Sequence, residues 1–366
     1  MKKVLLNNRL ITSLFIFFII SLLSIFTAQR ITNNLNNILI KQIIFYIVGI
    51  VILIVSYIKK KEIIKYSFWL YIFFTILLFI LLILGVSING SRCWIILGPI
   101  SFQPSEFMKI FLIIIIAKNL SKYKSKKINK EFKMLLIIFI ILLVPSILTF
   151  LEPDTGVVLI YFIITISMIL YRGINKKWYL ITLVILGITF SIIIFLLFIN
   201  KNLIINFLDN SIFYRLERIL NWQNQSGYQL ENSMITIASS GLFGFGINNV
   251  PLYYPESSTD FIFTTFSSIF GFIGNIIFFI VIIIFDLNIL KLANHKIKKI
   301  DEYILIGIFS MIFYQQIQNI SMTIGLLPIT GITLPFISYG GSSLLSYMFI
   351  LGIILRISHD NYKYIN

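Results

Sequence analysis

Ten apolar runs, each long enough to cross a lipid bilayer and each closed by charged or turn residues, constrain this chain more than any other feature. Crossing about 30 Å of hydrocarbon as a helix takes about 20 residues. Inside the bilayer every backbone polar group must find its partner within protein, which leaves helices or closed barrels. The runs fall near 11–28, 42–58, 66–86, 105–120, 134–151, 155–171, 178–199, 262–287, 302–326 and 340–357, the fifth and sixth nearly continuous. Their length and unbroken apolarity read as helix. The expected fold is therefore all-α: a polytopic integral membrane protein of about ten transmembrane helices. Composition agrees, since 12% of the 366 residues are charged and the mean hydropathy is +0.96, whereas soluble domains carry roughly 25% charged residues.

A formal net charge of +16 raises the question of nucleic acid, and the placement of the charges answers it. Lysine and arginine concentrate at the N-terminus, at 59–65, 118–133, 172–177 and 291–299, and in the tail. All of these segments lie on one side if the N-terminus is cytoplasmic. That side then holds 23 Lys and Arg, against 6 on the other (Arg30, Lys41, Arg92, Lys201, Arg215 and Arg218), with Lys109 inside a span. The positive-inside rule thus puts both termini in the cytoplasm. It also accounts for the basic balance without a nucleic-acid partner.

Cys93 is the single cysteine, which excludes an intramolecular disulfide and argues against cysteine-based metal or redox chemistry. His295 and His359 have no ligand-spaced partner. The opening Met1-Lys2-Lys3 and the apolar run behind it lack a small-x-small cleavage site, so the run reads as a retained first helix. Neither a fixed-period repeat nor a soluble domain stands out, and residues 1–366 read as one domain whose longest loop, about 200–261, is extracytoplasmic.

The extracytoplasmic segments hold most of the Pro and about half of the Trp and acidic residues. Gly241, Gly244 and Gly246 lack the strand–turn–helix context of a phosphate-binding loop, so no nucleotide site is expected. Five blocks in order carry more information. They are Gly90-Ser91-Arg92-Cys93-Trp94 running to Phe102-Gln103-Pro104-Ser105-Glu106-Phe107-Met108-Lys109; Glu152-Pro153-Asp154-Thr155-Gly156; Gly227-Tyr228-Gln229; Pro255-Glu256 through Thr259-Asp260-Phe261-Ile262-Phe263; and Gly325-Leu326-Leu327-Pro328-Ile329-Thr330-Gly331 followed by Leu334-Pro335-Phe336-Ile337-Ser338-Tyr339-Gly340-Gly341-Ser342-Ser343. Together they resemble the SEDS family (shape, elongation, division and sporulation) over essentially the whole chain. Asn319-Ile320-Ser321-Met322 is more similar to the RodA branch than to the FtsW branch. Two positions depart from the family pattern: Cys93, where many members carry Arg, and Ser268-Ile269, where an acidic pair is common.

The resemblance implies a peptidoglycan glycosyltransferase that polymerises lipid II, the undecaprenyl-pyrophosphate-linked disaccharide-pentapeptide, at the outer face of the cytoplasmic membrane. It also implies a class B penicillin-binding protein as crosslinking partner. In such a reaction an acceptor hydroxyl attacks an anomeric carbon with inversion while pyrophosphate leaves, which asks for a general base. The good leaving group makes a protonating acid dispensable, so one carboxylate suffices where a glycoside hydrolase needs two. The departing charge asks for cations, either arginines or a divalent ion such as Mg2+ or Mn2+. Asp260 matches the family's critical aspartate and is expected to be the base, whereas its local setting at the head of an apolar run reads as a helix N-cap. Glu106 and Lys109, spaced i,i+3 inside a span, are expected either in the lipid-substrate cavity or as a structural ion pair. Arg215 and Arg218 fit a pyrophosphate clamp or an interfacial anchor. Trp94, Trp222 and Tyr228 fit sugar stacking or interfacial anchoring, and Gln229, Ser342 and Ser343 complete the expected substrate contacts. The rival functions are a lipid II flippase, which would need charges near the midplane, and a non-catalytic scaffold.

Overall fold

The computed structural model describes residues 2–31, 37–88, 91–97, 100–123, 127–178, 227–247, 252–294 and 298–363. Its helices are α1 (Lys2–Ile31), α2 (Ile38–Leu84), α3 (Pro104–Lys122), α4 (Ile128–Leu151), α5 (Thr155–Arg172), α6 (Tyr228–Ser239), α7 (Ile262–Ala293), α8 (Lys299–Thr323) and α9 (Gly341–Lys363). The seventh apolar run beyond Trp178, together with Arg215, Arg218 and Trp222, lies outside the described residues.

The sequence places two spans where α2 runs unbroken for 47 residues. A straight helix of that length would measure about 70 Å, more than twice the hydrocarbon thickness. The contacts show that it turns back. Phe45 packs on Tyr339 at 6.2 Å and against Gly341, while Phe74 stands 6.4 Å from Phe102, next to Gln103, whose amide bonds Ser342. Phe45 thus meets the first turn of α9 and Phe74 is joined to the same turn through Phe102 and Gln103, although 29 residues of straight helix would hold them about 43 Å apart. Between them, Tyr57 meets His359 and Lys60 bonds Asp360 at the far end of α9. The reversal falls in the lysine-rich segment 59–65, so two arms cross the bilayer, as the two apolar runs require. Lys60 is buried there between Asp301 (2.9 Å) and Asp360 (3.4 Å), and it ties α2, α8 and α9 together.

A second reversal corrects the reading of the eighth run. Phe263 lies 5.9 Å from both Phe278 and Phe279, and Phe266 lies 5.0 Å from Phe278. Fifteen residues of straight helix would separate the first pair by about 22 Å. The chain doubles back at Gly271, whose φ of 62° and ψ of −159° suit only glycine. Residues 262–270 are thus a short helix folded against the crossing segment that follows Gly271. The turn 241–246 packs backbone to backbone on this reversal: Phe245 N donates to Ser268 O (2.7 Å) and Phe272 N to Gly241 O (2.9 Å). A Cβ on Gly244 would collide with the Ile269 carbonyl. That close crossing is what the bare Gly244 permits.

α3 is buried on every side from Met108 to Ala117, as expected of a helix that is apolar all round and wrapped by others. The outward faces of α2 and α4 instead expose Ile, Phe and Leu, which suits lipid. Small residues let helices approach: a Cβ on Gly49 would press on Met348, and one on Gly352 would strike Ser56. The expected all-α class needs one addition. Between α2 and α3 lies a small antiparallel sheet, order β1-β2-β3, of Val86–Ile88, Ser91–Leu97 and Ile100–Phe102, with Val86 opposite Trp94 and Ile95 opposite Phe102. The long segment placed at 200–261 also contains α6 rather than loop alone.

The stretch between α8 and α9 enters the bundle as irregular chain. Ser21 Oγ donates to Ile337 O (2.8 Å), Tyr46 Oη to Phe336 O, and Gln42 Nε2 to Ser338 O (3.4 Å). Phe336 stacks 5.9 Å from Phe17, deep in α1. Non-helical backbone is tolerated at such depth only where protein groups take its carbonyls, and these three do.

Candidate active site

A cavity of about 720 Å3 opens where the connections before α3, α5, α6, α7 and α9 converge. Its wall is polar for a membrane protein. Glu106, Asp154, Glu256 and Asp260 contribute carboxyl groups to the lining, and Gln103, Gln229, Gln315, Thr330 and Thr333 contribute neutral polar groups.

Asp260 sits in the cavity wall at the end of the turn 255–260. The turn is tight because Glu256 takes a left-handed φ of 56° and its carbonyl accepts from both Thr259 N (3.1 Å) and Phe261 N (3.0 Å). Its carboxylate adds a 2.5 Å bond from Thr259 Oγ1. The N-cap position of α7 falls on Phe261, directly after Asp260. Across from it Gly331 has a φ of 72°, and a Cβ there would stand 3.6 Å from Asp260 Oδ2.

Glu106 enters the wall on the first turn of α3, set by Pro104 at the helix start. Its Oε2 accepts from Lys109 Nζ at 2.8 Å and from Ser346 Oγ at 3.4 Å. Lys109 is fully buried behind it, 5.6 Å from the Tyr347 ring, and does not line the cavity. One member of the pair thus faces the cavity and the other pairs with it from behind the wall. Of the remaining expected contacts, Trp94, Tyr228, Gln229 and Ser343 line the cavity. Gln229 Nε2 donates to Pro255 O (3.1 Å), which anchors α6 to the 255–260 turn. Ser342 does not line it; its hydroxyl accepts from Gln103 N (2.9 Å) and donates to Ser101 O (3.2 Å), latching α9 to the chain entering α3.

Asp154 was quoted in a block but given no role, and it proves to be a cavity residue. Its Oδ1 accepts from Val157 N (3.2 Å), capping α5, and its Oδ2 accepts from Gln103 Nε2 (2.9 Å). Burial pushes its carboxyl up to about 6, against the pull of the Val157 amide. An acidic residue before an apolar run was the available signal, and at Asp154 it is an N-cap. The two departures from the family pattern also find local explanations. Cys93 Sγ donates to Glu152 O (3.0 Å), and Ser268 Oγ bonds Thr265 O (2.8 Å) within its own helix. Among the described residues no three His, Cys, Asp or Glu side chains converge as a metal site.

Comparison with known proteins agrees with this architecture. A "Probable peptidoglycan glycosyltransferase FtsW" of Coxiella burnetii is 34% identical over 81% of this chain and 79% of its own length. Stage V sporulation protein E of Bacillus subtilis is 32% identical over 78% and 76%. Among solved structures, a chain of a peptidoglycan synthase complex superposes with a TM-score of 0.78 at 23% identity, over 97% of this chain and 98% of that one. The rod shape determining protein RodA of Thermus thermophilus gives 0.70 at 23% identity, over 96% of each chain. The sequence signature of the FtsW/RodA/SpoVE cell cycle proteins matches residues 3–363, and this polytopic membrane protein therefore belongs to that family, the SEDS proteins.

Proposed function

We propose that this chain is a peptidoglycan glycosyltransferase that joins lipid II units into glycan strands, with the Asp260 carboxylate as general base. The observation that carries the reading is the placement of Asp260: a carboxylate residue in the wall of a 720 Å3 cavity, with Gly331 beside it. In the step envisaged, the hydroxyl of an acceptor sugar attacks the anomeric carbon of a lipid-linked donor. The C–O bond to the pyrophosphate breaks as the new glycosidic bond forms, the configuration inverts, and the hydroxyl proton passes to Asp260. The polyprenyl pyrophosphate leaves as the anion. Glu106, backed by Lys109, and Trp94, Gln229 and Ser343 hold the donor, while Arg215 and Arg218 are assigned to the pyrophosphate.

The distribution of Lys and Arg supports a cavity facing away from the cytoplasm, with both termini cytoplasmic. A class B penicillin-binding protein is the crosslinking partner in this reading. The relatives named FtsW and stage V sporulation protein E favour a division or sporulation role over the RodA-type elongation suggested by Asn319-Ile320-Ser321-Met322.

The test is polymerisation of lipid II by purified protein in detergent, where no membrane side exists and a flippase has nothing to do. Asp260→Asn is expected to stay folded and to make no polymer. Polymer of normal length from that variant sinks the base assignment, and no polymer from wild type with its partner present sinks the polymerase reading.

A further inference from the structure

The chain bearing Asp260 is held from one side by three hydrogen bonds on three consecutive carbonyls. Tyr339 N donates to Ser258 O at 2.8 Å, Ser338 Oγ to Thr259 O at 2.7 Å, and Asn319 Nδ2 to Asp260 O at 2.8 Å. The two side chains each bond a second segment. Asn319 Nδ2 also donates to Ile332 O at 2.8 Å, which uses both of its N–H groups, and Ser338 Oγ accepts from Leu334 N at 2.9 Å. Asn319 is fully buried on α8 and Ser338 is 6% exposed. Neither lines the cavity.

We propose that Asn319 and Ser338 are positioning residues that set the direction of the Asp260 carboxylate by locking the peptide planes on which it is mounted. The inference rests on the reading of Asp260 as the base. Three fixed carbonyls in a row leave residues 258–260 little freedom in φ and ψ, so the Cα–Cβ bond of Asp260 points one way. The requirement is severe. A base works within about 2.6–3.2 Å of the proton it takes, and a 1 Å displacement costs about 100-fold. The same bonds join the 255–260 turn to the irregular chain 332–339, so Asp260 and Gly331, which comes from that side of the cavity, are placed by one connection. A merely structural role would make the same contacts but would not couple them to turnover.

The experiment compares Asn319→Ala, Ser338→Ala and Ser338→Thr with wild type and Asp260→Asn, using the purified full-length chain on lipid II and scoring only folded protein. Expected is a fall in kcat of about 10- to 100-fold for both alanine variants with KM within about 2-fold. Ser338→Thr, which keeps the hydroxyl, should recover most of the rate. If Asn319→Ala does not fold, the Ser338 pair carries the decision. Wild-type turnover in folded Ser338→Ala, or a loss that Ser338→Thr fails to recover, overturns the inference while the polymerase reading stands. An inactive wild type overturns both.

Discussion

The Lys109 ammonium lies 2.8 Å from the Glu106 carboxylate inside the bundle, with side-chain exposures of 0% and 7%. Such a pair offsets much of its own desolvation, and losing one partner strands the other. Lys109→Met leaves Glu106 facing the cavity as an uncompensated carboxylate and should destabilise by about 3–5 kcal/mol. The double variant Glu106→Gln/Lys109→Met should regain most of that loss. Thermal unfolding of the single and double variants in one detergent measures the difference, and an additive result would mean the pair is not coupled.

Gly331→Ala separates strain from access. At a φ of 72° an L-residue costs about 1–2 kcal/mol, and the methyl would sit 3.6 Å from Asp260 Oδ2, a contact without overlap. The variant should therefore fold with a small loss of stability and turn over markedly more slowly. Denaturation and lipid II polymerisation on the same preparation check the two halves.

Gly271→Ala should be far more damaging, because no relaxation of a side chain can make room. The Cβ would meet the Leu242 carbonyl carbon and oxygen at 2.7 Å, both of them backbone, and the φ/ψ pair is essentially confined to glycine. The reversal would open at a cost of about 3 kcal/mol or more. Poor recovery of monodisperse protein, or a sharply lowered Tm, is the expected result.

Asp154 links stability to pH. Burial raises its carboxyl from the usual 3.8 to about 6, so the folded state holds its proton over a range where the unfolded chain has released it. The contribution is fully present below about pH 4 and is lost as pH rises through about 6. Asp154→Asn keeps an acceptor for Val157 N and removes the titration. Tm measured from pH 4 to 7 should fall more steeply for wild type than for the variant across that window, and parallel curves would contradict the assignment.

Much of the membrane architecture could be read from composition because the cost of placing side chains in lipid is paid residue by residue. The runs at 42–58 and 66–86 are two crossings in the structure, and the chain reverses between them because the lysines at 59–65 cannot stay in hydrocarbon. Gly271 escaped the same logic. It stands between Phe270 and Phe272 in unbroken apolar sequence, where reversing direction changes no transfer energy. The small sheet escaped for a different reason: Asn89-Gly90 between Val86-Ser87-Ile88 and Ser91 is a strong hairpin signal, but it lies in a connection between two spans that was read only for its family motif.

The candidate site divides in the same way. The five blocks pointed to Asp260, Glu106, Trp94, Gln229 and Ser343, all of which line one cavity. They did not separate these from Lys109 and Ser342, which stand behind the wall, or show what Asp154, Asn319 and Ser338 do. The sequence by itself determined that this chain crosses a membrane many times and which family it resembles, since hydropathy and ordered motifs are properties of the chain taken one residue at a time. Only the tertiary structure decided which polar groups face the cavity and which support it. That choice depends on where the chain reverses at Gly271 and on which carbonyls of residues 258–260 a distant asparagine and serine reach. Such relationships span about 60 to 80 residues of sequence and leave no periodic trace in it.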